Sequence, residues 1–413
     1  MNNPIKKADM EALAAYQKQL YKRPKLTFLF FELTDKCNLN CVHCGSRCSG
    51  ANSEFLPYEM TEKVMRQVAL AYDPRQIMIC LTGGEPLLHR DILKIVSLAS
   101  SLGFAVGMTT NGTLIDQATA CGLAHAGMDT ITVSLDGIGE DHDEFRLSGG
   151  SFQKAVEGIK ALKSAGIEPQ VLTVAHKANL SKLDEIYNFL CELDIYSWRI
   201  TNVDPIGRAT ANENLLLDAK EMLTLLKYIR NKRYDSNCNM DVTYGCAHFL
   251  TDKLEREVRD FYFQCGAGTQ VASVMANGNI GACLDIERRE DLIQGNVYTD
   301  DFIAVWENKF HQFRTDRTEK SKTCSKCEYK NLCLGDSAHT WDYDSNEPRY
   351  CGTEKGKGKF EPYLNRVYCV YGPPITIKYK CSNCNHSWIV STLGSDKTEY
   401  CPMCGKRISM CFD

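Results

Sequence analysis

The sequence has no apolar run approaching the ~18 residues needed to cross a bilayer, which argues against a membrane-spanning helix. Its start, MNNPIKKADMEALAAYQKQLYKRPKL, lacks the unbroken apolar core of a signal peptide, so secretion is unsupported and a cytoplasmic protein is expected. Positive charge is not in excess either: 48 Lys and Arg stand against 52 Asp and Glu, a formal net charge of -4. With no global basic field to hold phosphates, nucleic acid is not an expected partner, and the short EKGKGK stretch reads as a solvated linker. No internal repeat of fixed period is present, so a solenoid is not the expectation.

What the sequence has in unusual number is cysteine, 21 in 413 residues. A cytosolic chain cannot keep so many as persistent disulfides, and metal is the economical explanation. Most of them fall in groups: Cys37, Cys41, Cys44 and Cys48, then Cys246, Cys265 and Cys283, then Cys324, Cys327, Cys333 and Cys351, and finally Cys381, Cys384, Cys401 and Cys404. Cys80, Cys121, Cys191 and Cys238 stand alone and read as inert thiols.

The chain is longer than the ~250–300 residues at which single cores stop growing, so two or three folded units are expected. From Leu26 to about Arg208, short apolar runs alternate with amphipathic stretches, the pattern of parallel strands joined by helices. The expected strands are Thr27–Leu33, Gln76–Leu81, Ala105–Thr109, Thr130–Ser134, Pro169–Thr173 and Trp198–Thr201, with helices over Glu59–Ala71, Asp91–Leu102 and Gly150–Ala165. Six βα units make an α/β fold, a partial (β/α)6 TIM-like barrel, whose ligands sit at the C-terminal strand ends. A helical extension over 1–25, the barrel over 26–232, a Cys-rich unit over 233–365 and a small module over 366–413 complete the expected organisation.

Cys37-Asn-Leu-Asn-Cys41-Val-His-Cys44 offers three thiolates directly after a strand, compact enough to wrap one cubane and one short of its usual four ligands. An open iron would bind something other than protein. Zinc, with Cys48 or His43 as fourth ligand, and plain buried thiols are the rival readings of the spacing. The Cys-x3-Cys-x2-Cys spacing resembles the radical SAM signature, and the likeness extends over roughly residues 26–351. It implies a 4Fe-4S cluster on Cys37, Cys41 and Cys44 that binds S-adenosyl-L-methionine (SAM) through its methionine part and cleaves it to a 5'-deoxyadenosyl radical. His43 then holds the position beside the adenine, and Cys48 is spare.

Further motifs resemble the same family. Gly83-Gly84-Glu85-Pro86 follows the second strand, where Glu85 would take the SAM amino group and the glycines allow close backbone approach. Asn111 and Ser134 end the third and fourth strands, with Ser134 implied at the ribose, and Arg146 is implied at the SAM carboxylate. Asp136 is a weaker member of the same set, and Trp198–Arg208 resembles the family's end of the barrel.

Cys265, Gly278 and Cys283, followed by Cys324-x2-Cys327-x5-Cys333 and Cys351, resemble the SPASM auxiliary-cluster domain. Cys324, Cys327, Cys333 and Cys351 would hold one cluster, with zinc as the rival. A further cluster would rest on Cys265 and Cys283 with Cys246, or with a ligand from Asp336, Ser337, His339 or His248, because Ser337 stands where the pattern has cysteine. Asp285 lies near the position of an acidic base in related sulfatase-maturating enzymes. Cys381-x2-Cys384-x16-Cys401-x2-Cys404 has zinc-ribbon spacing, with a single rubredoxin-like iron as the alternative.

The resemblance implies radical chemistry on a peptide or protein substrate, giving a crosslink, an oxidation or an epimerised residue, with an external electron donor such as flavodoxin or ferredoxin. A small-molecule radical SAM dehydrogenase and a zinc-rich scaffold are the alternatives. About 26 residues precede the first strand, too few for a peptide-recognition domain, so a precursor peptide would need a separate carrier or the C-terminal ribbon. Protein reconstituted without oxygen is expected to hold about twelve iron and one zinc per chain, as three cubanes and one ribbon require. Near eight iron would remove the cluster at Cys265, and negligible iron with several zinc would favour the scaffold.

Overall fold

The computed structural model describes residues 7–235, 239–245, 248–250, 255, 257–260 and 264–349, and the backbone of two strands at 375–380 and 387–392. Six parallel strands form the barrel wall: β1 (Phe28–Glu32), β2 (Met78–Thr82), β3 (Ala105–Thr110), β4 (Thr130–Ser134), β5 (Pro169–Ala175) and β6 (Ser197–Asn202). They are hydrogen-bonded in chain order, as βα units require. The sheet then continues past residue 232, because β7 (Asp241–Tyr244) pairs parallel with β6. On the other edge β8 (Val271–Val274) pairs parallel with β1, and β9 (Asn279–Gly281) and β10 (Gly295–Asn296) follow antiparallel, making ten strands in one sheet.

Burial patterns follow from these neighbours. FLFFE of β1 is buried at every position because strands flank it on both sides and helices and cavity lie on its faces. In β5 and β6 buried and half-buried residues alternate strictly, the period-2 signature of a wall with packed helices on one face and an open chamber on the other. The outer face joins residues such as Leu29, Phe31, Ile79, Val106, Ile131 and Trp198 with helix residues Val64, Ile95 and Ile159 in one continuous core. Helix Tyr58–Ala71 needs no side-chain cap, since Pro57 pre-sets its entry and Val64, Met65 and Val68 anchor its apolar face.

Helix α1 (Lys7–Leu20) ties down the cysteine-rich half. Gln17 Nε2 donates to Cys265 O and Thr269 Oγ1, each at 3.0 Å, while Met10 packs with Phe249 and Cys333. Cys191, expected as a lone thiol, is disulfide-bonded. No helix among the described residues is long and apolar enough to cross a membrane. Phe31→Ala, which empties a fully buried site on the central strand, is expected to cost about 3–5 kcal/mol, measurable as a lowered denaturation midpoint.

Candidate active site at the barrel mouth

The loop after β1 carries Cys37, Cys41, Cys44 and Cys48, and its backbone is held on two sides. On one side the end of β2 approaches it: Gly84 N donates to Thr34 O at 2.7 Å and Glu85 N to Lys36 O at 2.9 Å. A Cβ on Gly83 (φ 133) would collide with Thr34 O, and one on Gly84 with Lys36 O, so what these glycines approach is the cysteine loop itself. On the other side Gly207 (φ 54) lies against the Cys44 and Gly45 carbonyls. Arg208 adds three bonds, from N to Cys44 O (3.0 Å), Nε to Cys41 O (2.7 Å) and Nη2 to Cys48 O (3.0 Å). This clamp was not legible as a site feature, because its partners lie some 160 residues away in sequence.

The loop gathers Cys37, Cys41 and Cys48 into one buried cluster with Leu39, and Cys44 packs against it half-buried. Leu39 N and Asn111 Nδ2 point at Cys37 Sγ, at 3.5 and 4.0 Å. Burial pushes the Cys37 thiol up to about 11, whereas a hydrogen bond from Cys48 brings Cys44 down to about 5. Cys48, expected to be spare, therefore lies against a presumed ligand. A compact group of cysteines, with two N–H groups aimed at Cys37 Sγ, fits a thiolate-bound cluster. Among the described residues no three His, Cys, Asp or Glu side chains converge on a single-ion position.

The expected SAM-side residues surround this loop. Glu85 is buried and accepts from Thr110 Oγ1 (2.7 Å), Asn111 N (2.9 Å) and Leu87 N (3.2 Å), and burial raises its pKa. Asn111 Nδ2 also donates to Asn38 Oδ1 at 2.9 Å, linking β3 to the cysteine loop. Arg146 is buried and doubly paired with Asp136 at 2.7 Å, so part of its fork is already engaged within the protein. Ser134 is buried at the end of β4. The His43 ring stacks on Phe145 (4.3 Å between centroids), which stacks in turn on His176 (4.0 Å), and burial lowers the His43 pKa to about 3.

Beneath the loop a cavity of about 430 Å³ fills the barrel, reached by His43, Asp204, Asp285, His339 and the inward residues of β1–β6. Its far rim carries the second cysteine group. Ala338 N donates to Cys265 Sγ at 3.4 Å and Ser337 Oγ approaches the same sulfur at 4.0 Å, so Ser337 does lie beside Cys265. Cys283, half-buried, precedes Asp285 by two residues. Of the histidines considered as ligands, His248 Nε2 and His339 Nε2 meet Asp204 at 2.8 and 3.0 Å, and His339 Nδ1 meets Ser337 Oγ at 2.7 Å. Burial alone would raise Asp204, but the two rings hold its carboxyl far below the usual range. Burial raises the Asp285 carboxyl, against the opposing pull of His339.

Cys324 and Cys333 are buried and Cys327 half-buried, on short helical turns that place Cys327 N on Cys324 O at 3.0 Å. Cys246, Cys351, Cys381, Cys384, Cys401 and Cys404 lie outside the described residues.

This architecture agrees with the sequence comparisons. Residues 31–190 match the radical SAM superfamily and residues 265–328 the SPASM iron-sulfur cluster-binding domain. The chain carries a radical SAM domain and, C-terminal to it, an SPASM domain. An AdoMet-dependent heme synthase of Methanosarcina barkeri is 28% identical over 347 residues, 79% of this chain and 96% of that protein. Mycofactocin maturase MftC of Mycobacterium ulcerans is 29% identical over 316 residues, 74% and 81% of the two chains. In fold, the chain is similar to Streptococcus suis SuiB bound to S-adenosylmethionine, with TM-score 0.62 at 20% identity over 80% of this chain and 79% of that one. SuiB bound to precursor peptide SuiA gives 0.61 at 20% identity over 78% and 74%.

Gly84→Ala is expected to displace the Lys36 carbonyl and with it the cysteine loop. Iron retained at the first cluster after reconstitution should fall severalfold while far-ultraviolet circular dichroism stays that of wild type. A variant that binds iron normally would show that the close approach is dispensable.

Proposed function

We propose that this radical SAM enzyme reductively cleaves SAM and abstracts a hydrogen atom from a peptide or protein substrate, in the maturation of that peptide by crosslinking, oxidation or epimerisation. The observation that carries the reading is the barrel cavity itself, which His43 and Gly45 of the cysteine loop line together with Asp285. A 4Fe-4S cluster on these three cysteines would supply the electron that releases a 5'-deoxyadenosyl radical from SAM. Glu85 and Asn111 would hold the SAM amino end beside the loop, the His43 ring would lie at the adenine, and Ser134 and Arg146 would contact ribose and carboxylate. Gly83 and Gly84 keep Glu85 in register with the cysteines.

Loss of a hydrogen atom leaves the substrate one electron short, and a closed-shell oxidised product needs one further electron and one proton removed. Asp285, on the cavity wall and two residues from Cys283, would take the proton, and the groups held by the auxiliary cysteines would take the electron. Cys324, Cys327, Cys333 and Cys351 would hold one auxiliary cluster, and Cys246, Cys265 and Cys283 another. An external donor such as flavodoxin or ferredoxin would return electrons. Cys381, Cys384, Cys401 and Cys404 would hold one zinc, and the antiparallel pairing of 375–380 with 387–392 supports that reading, since Cys381 and Cys384 lie between these two strands in sequence.

The peptide substrate is supported by the likeness in fold to SuiB bound to a precursor peptide and by the maturase relative. A small-molecule substrate is the second reading, favoured by the heme synthase relative that spans 79% of the chain. Replacing Cys37, Cys41 and Cys44 together by Ala is expected to abolish 5'-deoxyadenosine formation with dithionite while the iron of the auxiliary sites remains. Undiminished 5'-deoxyadenosine from that variant would overturn the mechanism.

A further inference from the structure

The barrel wall carries one positive charge that no ion pair among the described residues balances. Alternation along β6 sends Trp198 and Ile200 into the core behind the sheet and turns Arg199 and Thr201 into the cavity. Arg199 Nε is sealed from solvent with no acceptor, and the side chain forms no ion pair among the described residues. Among the described lining residues it is the single permanent cation. Of the two carboxylates on the same wall, Asp204 is occupied by His248 and His339, and Asp285 stands clear of ion-pair distance from Arg199. The slot is built for this residue, since a Cβ on Gly245 would collide with Arg199 Cγ and Cδ, so the glycine lets the stem lie flat against the wall.

Arg199 is half-buried, with only Nε sealed, and Asp285 is near enough to act on it without pairing. A guanidinium partly withdrawn from water and unpaired is costly, and proteins ordinarily pair it or exchange it for an apolar residue. One left open in a chamber is organised to meet an anion that arrives from outside. Its parallel N–H donors match the two oxygens of a carboxylate. A phosphate dianion suits the place less, because the described lining residues include no second permanent cation and no helix N-terminus, while Asp204 and Asp285 add negative charge.

We propose that Arg199 is the substrate-recognition residue of the chamber and takes a carboxylate of the substrate. The inference rests on the cavity being the substrate chamber of the radical enzyme. Two sources share this chemistry, a carboxylate of a peptide (side chain or C-terminus) and that of a small organic acid.

The experiment follows phenylglyoxal modification of Arg199 by peptide mass spectrometry, on the full chain reconstituted without oxygen and saturated with SAM. The probes are butyrate against butyramide, N-acetyl-glutamate amide against its glutamine counterpart, and Gly-Gly-Val against its C-terminal amide. At least one acid should slow modification roughly tenfold or more, as a charge-assisted pair would, and its amide should not. Protection by butyrate alone assigns a small acid, and protection by either peptide acid assigns a peptide carboxylate. Full protection by SAM alone, equal protection by chloride at the same ionic strength, or no protection by any acid overturns the proposal. 5'-Deoxyadenosine is measured in the same samples. Its absence would count against the enzymatic reading, whereas its formation with Arg199 unprotected removes only the present inference.

Discussion

The cysteine loop is held by its carbonyl oxygens. Peptide N–H groups at the end of β2 donate to it at Thr34 and Lys36, the Arg208 N–H donates at Cys44, and the Arg208 guanidinium donates at Cys41 and Cys48. Buried peptide groups must find partners, so these contacts fix where the loop runs. They also explain why the nearest residues are glycine at 83, 84 and 207, since any Cβ there would occupy the space of a carbonyl oxygen. The orientation of the thiols, the reach of Asn111 to Cys37 and the seating of Glu85 all follow from that placement.

Charge around the site is arranged in closed and open sets. Asp136 with Arg146, Asp204 with its two histidines, and Glu32 with Arg288 are pairs or triads completed inside the protein. Such buried sets lock geometry more than they stabilise the fold, because desolvation offsets most of the attraction. Arg199 and Asp285 remain open toward the cavity. The division separates groups that hold the chamber in shape from groups available to what enters it.

Much of the barrel could be read from sequence, and the reasons are local. The six strands and the helices 58–71, 92–101 and 151–164 carry clear periodicity, and their ends fall within two residues of expectation. The cysteine loop and the Glu85 turn were legible because their signals are short and contiguous. β7 and β8 were not, since four-residue strands have little pattern and owe their place to β6 and β1. The triad of Asp204, His248 and His339 joins residues up to 135 positions apart, and no spacing rule could have gathered them. Arg199 sat inside a motif read for its similarity as a whole, where strand alternation would have turned its side chain toward the chamber.

The pairing of β1 with both β2 and β8 has a mechanical meaning. Cys37 follows one of these strands by five residues, and Cys265 and Cys283 flank the β8–β9 ribbon on the other side. No hinge lies between the barrel and this cysteine pair, since bending there would tear the ladder Phe28–Phe31 from Val271–Val274. The separation between the two cysteine groups is therefore fixed by the strand ladder that joins them, and any change in the access to the cavity falls to the loops and not to this frame.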